Sequence, residues 1–146
     1  PMIAGIHDIM VHDYGPGRKI VSFHAEVPAD ANICEAHDII DELEQDMLKE
    51  FKCITTIHMD PIVVNDEKIN KARASVKKIV KEINENYSIH DFRMTDGGKR
   101  INLIFDLVIP RDDKIDKDIL RKEIIEKIKK IDTKYYAVFT IEHLFV

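Results

Sequence analysis

Cysteine is scarce in this chain, and neither Cys34 nor Cys53 belongs to a CxxC or other zinc-finger spacing. Two cysteines are too few for a secreted disulfide framework, so a reducing, cytosolic setting is expected. Long apolar runs are missing: no stretch approaches the roughly 18–20 consecutive apolar residues of a membrane span. No signal-peptide pattern is visible either, so the chain is not expected to cross a membrane by itself. Basic charge is short, with a formal net charge of -5, which argues against nucleic acid as a partner because phosphate binding needs a basic footprint. The lysines of 114–134 alternate with Asp and Glu on a helical pattern and read as a solvated face. No nucleophile–base pairing and no strand–Ser–helix elbow is present, and the carboxylates of 112–118 read as loop and cap residues, so no enzyme is expected. Glycine and proline number only five each against 45% apolar and 34% charged residues, a globular composition with room for one ordinary domain or two small ones.

What the chain does have is histidine in company. His7, His24, His37 and His58 stand in the contexts Ile6-His7-Asp8, Ser22-Phe23-His24-Ala25-Glu26, Glu35-Ala36-His37 and Ile57-His58-Met59-Asp60-Pro61. Imidazole nitrogen and carboxylate oxygen suit zinc and its divalent neighbours, which makes His7, His24, His37, His58 and Asp60 candidate metal ligands. His58 and Asp60 are two apart on an expected strand and therefore share a face. His24 shares a strand face with Ser22 and Glu26, and His37 lies about one turn into the following helix. Taken singly, each histidine reads as a surface or internally satisfied residue; convergence is a statement about tertiary structure that spacing leaves open. Zinc usually takes four ligands in a closed site. Five side chains overfill one ion and cannot separately close two, unless two ions share the carboxylate of Asp60.

The organisation is a repeat. Ile6-His7-Asp8 and Phe23-His24-Ala25-Glu26-Val27-Pro28 align with Ile89-His90-Asp91 and Phe105-Asp106-Leu107-Val108-Ile109-Pro110 at the cost of one gap. The junction lies between Asp60-Pro61 and Asp66, giving two units, 1–61 and 62–146. In the first, strands are expected at 6–12, 19–27 and 54–60, with a hairpin turn at Tyr14-Gly15-Pro16-Gly17. Val21, Phe23, Ala25 and Val27 alternate with polar residues as a half-buried strand does. A helix is expected over 32–51, opened by Asn32 with Glu35 in a capping-box spacing, its core stripe being Ile33, Ala36, Ile40, Leu43, Met47 and Leu48. In the second unit the spacing predicts helices over 66–87 and 116–131 and strands over 88–95, 100–109 and 136–145, with Gly97-Gly98 as a turn. The order helix–strand–strand–helix–strand is a small α+β fold, an antiparallel sheet backed by helices. The first unit lacks the leading helix, which suggests truncation just before Pro1.

Other residues rank lower. His12 has strand parity opposite to His7 and is expected to face away, at the surface. Cys34, three before His37 on the helix, could be a ligand but reads rather as a small buried hydrophobe, and Cys53 reads as core. In the second unit His90 aligns with His7, Asp106 with His24, Glu142 roughly with His58, and Leu144 falls near the place of Asp60. His90, Asp106 and Glu142 read as a decayed remnant rather than a second site.

The stretch Gly5-Ile6-His7-Asp8, Phe23-His24-Ala25-Glu26-Val27, Glu35-Ala36-His37, Leu43-Glu44 and Ile57-His58-Met59-Asp60-Pro61 resembles the cytoplasmic C-terminal domain of cation diffusion facilitators, proton-coupled exporters of divalent metals. Residues 62–146 resemble an additional repeat found in some members. The resemblance implies tandem ferredoxin-like (metallochaperone-like) units of α+β class that dimerise below a membrane domain, at the cytoplasmic face of the cell membrane. It implies that His7, His24, His37, His58 and Asp60 form the metal site, with Asp60 suited to bridging two ions and His37 to completing a site across a homodimer. The expected ligand is zinc or another divalent transition metal, with cobalt, nickel, cadmium, iron and manganese open. The implied role is regulatory, metal favouring a closer dimer that biases the attached transporter. Two other readings stay open: a structural dimerisation module with incidental histidines, and a small-molecule-binding ferredoxin-like domain.

Overall fold

The computed structural model of the chain describes residues 2–63 and 67–144. It divides into two compact units, Pro1–Ile62 and Val63–Val146. The expected truncation at Pro1, the helix start and junction end at Asp66, and the strand end at Phe145 lie outside the described residues.

The first unit begins with a hairpin. Strand β1 (Gly5–Asp13) pairs antiparallel with β2 (Lys19–Pro28), and the turn between them is closed by Tyr14 N donating to Arg18 O at 3.0 Å. Gly15 and Gly17, at φ 105° and 73°, supply the left-handed conformations this turn requires. Helix α1 (Ile33–Phe51) follows, its first turn capped by the Asn32 side chain, which accepts from Cys34 N at 2.9 Å and Glu35 N at 3.4 Å. Strand β3 (Cys53–Ile62) then pairs with β2, so the sheet order is β1-β2-β3.

The second unit repeats this plan behind a leading helix. Helix α2 (Glu67–Ile83) precedes β4 (Ser88–Asp96) and β5 (Ile101–Ile109), then α3 (Lys117–Ile131) and β6 (Tyr135–His143), with sheet order β4-β5-β6. Asp116 caps α3 as Asn32 caps α1. Helix α2 stops at Ile83, four residues short of the sequence expectation. Asn84 turns the chain there, its side chain accepting from Asn86 N and its carbonyl from Tyr87 N. Tyr87 is thereby buried, with its hydroxyl donating to Asp113 at 2.7 Å.

The tandem α+β, ferredoxin-like architecture is as expected, but the sheets are mixed rather than antiparallel throughout: β2 runs parallel to β3, and β5 to β6. The cause is connectivity. A helix that runs back along the sheet returns the chain to the end at which the previous strand began, so the next strand must run parallel.

Each unit has its own core. In the first, Val21, Phe23, Ala25, Cys53 and Ile57 face α1 and meet Ile40. In the second, Val76 and Val80 of α2 and Leu120, Ile124 and Ile128 of α3 close over the sheet. Two residues assigned to the core stripe of α1, Ile33 and Leu48, are exposed, because that helix covers only β2 and β3 and its stripe is narrower than the heptad-like pattern implies. The same narrow cover leaves Ile6, Ile9 and Val11 of β1 at 52%, 57% and 62% exposure. The repeat counterparts of Ile9 and Val11, Phe92 and Met94, are at 9% and 0%, packed under α2. None of the described helices is long and apolar enough to cross a membrane.

Candidate metal centre

The sheet of the first unit brings three histidines into one row. His7 of β1 is the register partner of His24 on β2, and His24 is the partner of His58 on β3. Register partners point to the same face, here the one away from α1, because Phe23 and Ala25 on either side of His24 go into the core. The rings lie at centroid separations of 5.0 Å for His7–His24 and 4.9 Å for His24–His58. One row further along, Asp60 stands beside Glu26.

The polar atoms converge on Asp60. Its Oδ2 is 3.0 Å from His24 Nδ1 and 3.1 Å from His7 Nε2, and its Oδ1 is 3.3 Å from His58 Nε2. Three imidazole nitrogens thus surround one largely buried carboxylate. His7 Nε2 is itself buried and makes no hydrogen bond, although Asp60 is close. Glu26, 4% exposed, adds a second carboxylate with Oε1 3.8 Å from the same nitrogen. Gly5 leaves room for it: a Cβ there would stand 2.8 Å from Glu26 Oε2.

Of the five sequence-derived candidates, His7, His24, His58 and Asp60 come together, and His37 does not. His37 is an exposed residue of α1 whose ring faces Asp41 at 3.7 Å, one helical turn on. Sequence reasoning missed Asp8. Among the described residues, two groupings place ligand atoms close enough to share an ion: His7 with Asp8 and His24, and His24 with His58 and Asp60. The adjacency Ile6-His7-Asp8 was the only available sign, and strand alternation sends neighbours to opposite faces. Here it fails because Asp8 sits in a β-bulge between His7 and Met10 at φ 52°. The same bulge reverses the parity of β1 beyond it. His12 therefore pairs with Ile20 and lies on the face of His7, not the opposite one; it is exposed, as expected, and stacks on Tyr14. Cys34, expected to be buried, is exposed in the first turn of α1, whereas Cys53 is buried as expected.

The second unit keeps the backbone and changes the side chains of the row. Its β4 carries the same bulge, between His90 and Arg93 with Asp91 at φ 50°. The row equivalent to the three histidines is His90, Asp106 and Thr140. Thr140, not Glu142, therefore holds the place of His58, and Glu142, not Leu144, that of Asp60. Asp106 accepts a hydrogen bond from Thr140 Oγ1 at 2.6 Å, and His90 meets Ser88 at 3.2 Å.

Compared with known protein families, residues 1–62 match the family described as cation efflux protein, cytoplasmic domain. No curated protein matches the chain. The matched span ends where the first compact unit ends and takes in the whole histidine row together with the helix that carries His37. Over residues 1–62, and there alone, the chain is thus similar to the cytoplasmic domain of cation efflux proteins.

Proposed function

We propose that the first unit binds a divalent transition metal, zinc above all, and through it regulates a proton-coupled divalent-cation exporter from the cytoplasmic face of the membrane. The observation that carries this reading is the convergence of His7 Nε2, His24 Nδ1 and His58 Nε2 on the Asp60 carboxylate within 3.0–3.3 Å. The donor set suits the ion: neutral imidazole and carboxylate are zinc ligands, and the buried His7 Nε2 is left without a hydrogen bond that an ion would replace.

In this reading His7, His24, His58 and Asp60 hold the metal, and Asp60 serves as the shared carboxylate because its two oxygens face different histidines. The bound metal supplies positive charge at a place where two carboxylates are nearly buried. Dimerisation is the other half of the proposal. Met10, Ile20 and Ile54 lie exposed on the same open face as the histidines, at 57%, 40% and 63%, an apolar surface suited to a second copy of this chain. His37, projecting from α1, then serves as a ligand contributed across the dimer. Metal-dependent tightening of such a dimer would bias the transporter by the 1–3 kcal/mol or so usual for allosteric coupling.

The test is zinc binding by the purified chain with and without Asp60→Ala. Stoichiometric binding that the substitution abolishes supports the proposal. Equal binding by both proteins, or none by either, contradicts it.

A further inference from the structure

The bulge in β1 has a chemical consequence at His7. Asp8, turned into the left-handed region at φ 52°, puts Oδ2 3.1 Å from His7 Nδ1. The other ring nitrogen, Nε2, faces inward to Asp60 and Glu26. A neutral imidazole has one N–H and one lone pair, and a carboxylate beside one nitrogen holds the proton there. Asp60 Oδ2 is also 3.1 Å from Nε2, but only the Nδ1–Asp8 contact is a hydrogen bond and Nε2 makes none, so Asp8 favours the Nδ1–H form and leaves the lone pair on Nε2, the nitrogen that points into the histidine cluster.

The second unit is an internal control. It has the same bulge and the same left-handed aspartate, Asp91, but the ring of His90 is engaged by Ser88 through Nε2. The bulge is a property of the fold; the carboxylate–imidazole contact goes with the unit that has the histidine row.

We propose that Asp8 is a positioning residue for the metal centre, fixing the tautomer and orientation of His7 without itself holding the ion. The proposal rests on the metal-binding reading of the first unit. Carboxylates behind a ligating histidine typically contribute ~10–100-fold in metal affinity.

Asp8→Gly tests it, because glycine accepts a positive φ without strain and removes only the side chain. Asp91→Gly makes the same backbone change in the second unit. The expected result is a zinc affinity lowered about 10–100-fold by Asp8→Gly and unchanged by Asp91→Gly. A second readout needs no metal. Long-range nitrogen–proton NMR of the metal-free protein, in mildly alkaline buffer, should show His7 as the Nδ1–H tautomer in the parent and as a mixture in Asp8→Gly. An unchanged affinity or an unchanged tautomer in Asp8→Gly overturns the positioning role while leaving the metal centre standing, and so does an equal loss in Asp91→Gly. Failure of the parent chain to bind zinc overturns both.

Discussion

At the scale of single residues, the proposed metal centre turns on Asp60, which three histidine rings approach at once. His37 is the contrast, since its ring lies on α1 against Asp41. Substituting His37→Ala is therefore expected to leave the first zinc ion bound with affinity unchanged within a few-fold, by calorimetry at protein concentrations that keep the chain monomeric. A loss as large as that of Asp60→Ala would mean that His37 belongs to the same centre within one chain. A second residue-scale prediction concerns Tyr87. Burial and the Asp113 carboxylate push its hydroxyl up to about 12, and the hydrogen bond from Tyr87 holds Asp113 below the usual carboxylate range. The pair thus contributes stability that is complete below the ordinary tyrosine pKa of about 10 and is lost as pH rises toward 12. It is lost again in acid as Asp113 protonates. The urea midpoint gap between the parent and Tyr87→Phe should be widest near neutrality and shrink at both extremes; a gap independent of pH would refute the coupling.

At the scale of elements, the placing of His58 and Asp60 depends on how β3 is held. It is an edge strand, and the N–H of Ile57, next to His58, donates to Glu44 Oε1 of α1 at 2.8 Å. Glu44→Ala leaves that amide without its carboxylate partner. It should cost about 1–3 kcal/mol of stability, as losing a charged hydrogen-bond partner does, measured by urea unfolding, and lower zinc affinity alongside. Unchanged stability would mean that water replaces the carboxylate fully. What could be read from the sequence at this scale follows from periodicity. The alternation in Val21-Ser22-Phe23-His24-Ala25 shows which face His24 takes, and Asn32 and Asp116 mark two helix starts. The bulge could not be read, because Asp8 at φ 52° looks like any strand residue in a chain of letters. That one extra residue misassigned His12 and concealed Asp8. The position of β6 against β5 was also invisible, since no residue marks where α3 hands over to the strand, and the partner of Asp106 was placed two residues too late.

At the scale of the whole molecule, two units with separate cores carry one histidine row between them. The first core holds six buried residues under a single helix, whereas two helices close the second. The first unit is therefore expected to unfold at the lower temperature. Zinc should raise that transition alone, since a ligand stabilises the unit it binds, by about 2.7 kcal/mol at a hundredfold excess over Kd. Calorimetry with and without zinc checks this, and a zinc-induced rise in the higher transition would point to a site in the second unit. The repeat was legible in the sequence because the motifs around His7 and His90 survive. The make-up of the second row was legible only in part, because Thr140, which donates a hydrogen bond to Asp106, was not identified as the counterpart of His58.

Zinc bound per chain, by equilibrium dialysis with elemental analysis at neutral pH on the parent and on Asp60→Ala, tests the central claim most directly. The expected result is one to two ions per chain for the parent and none for the variant. No zinc on the parent at micromolar free metal, or undiminished zinc on the variant, would contradict it.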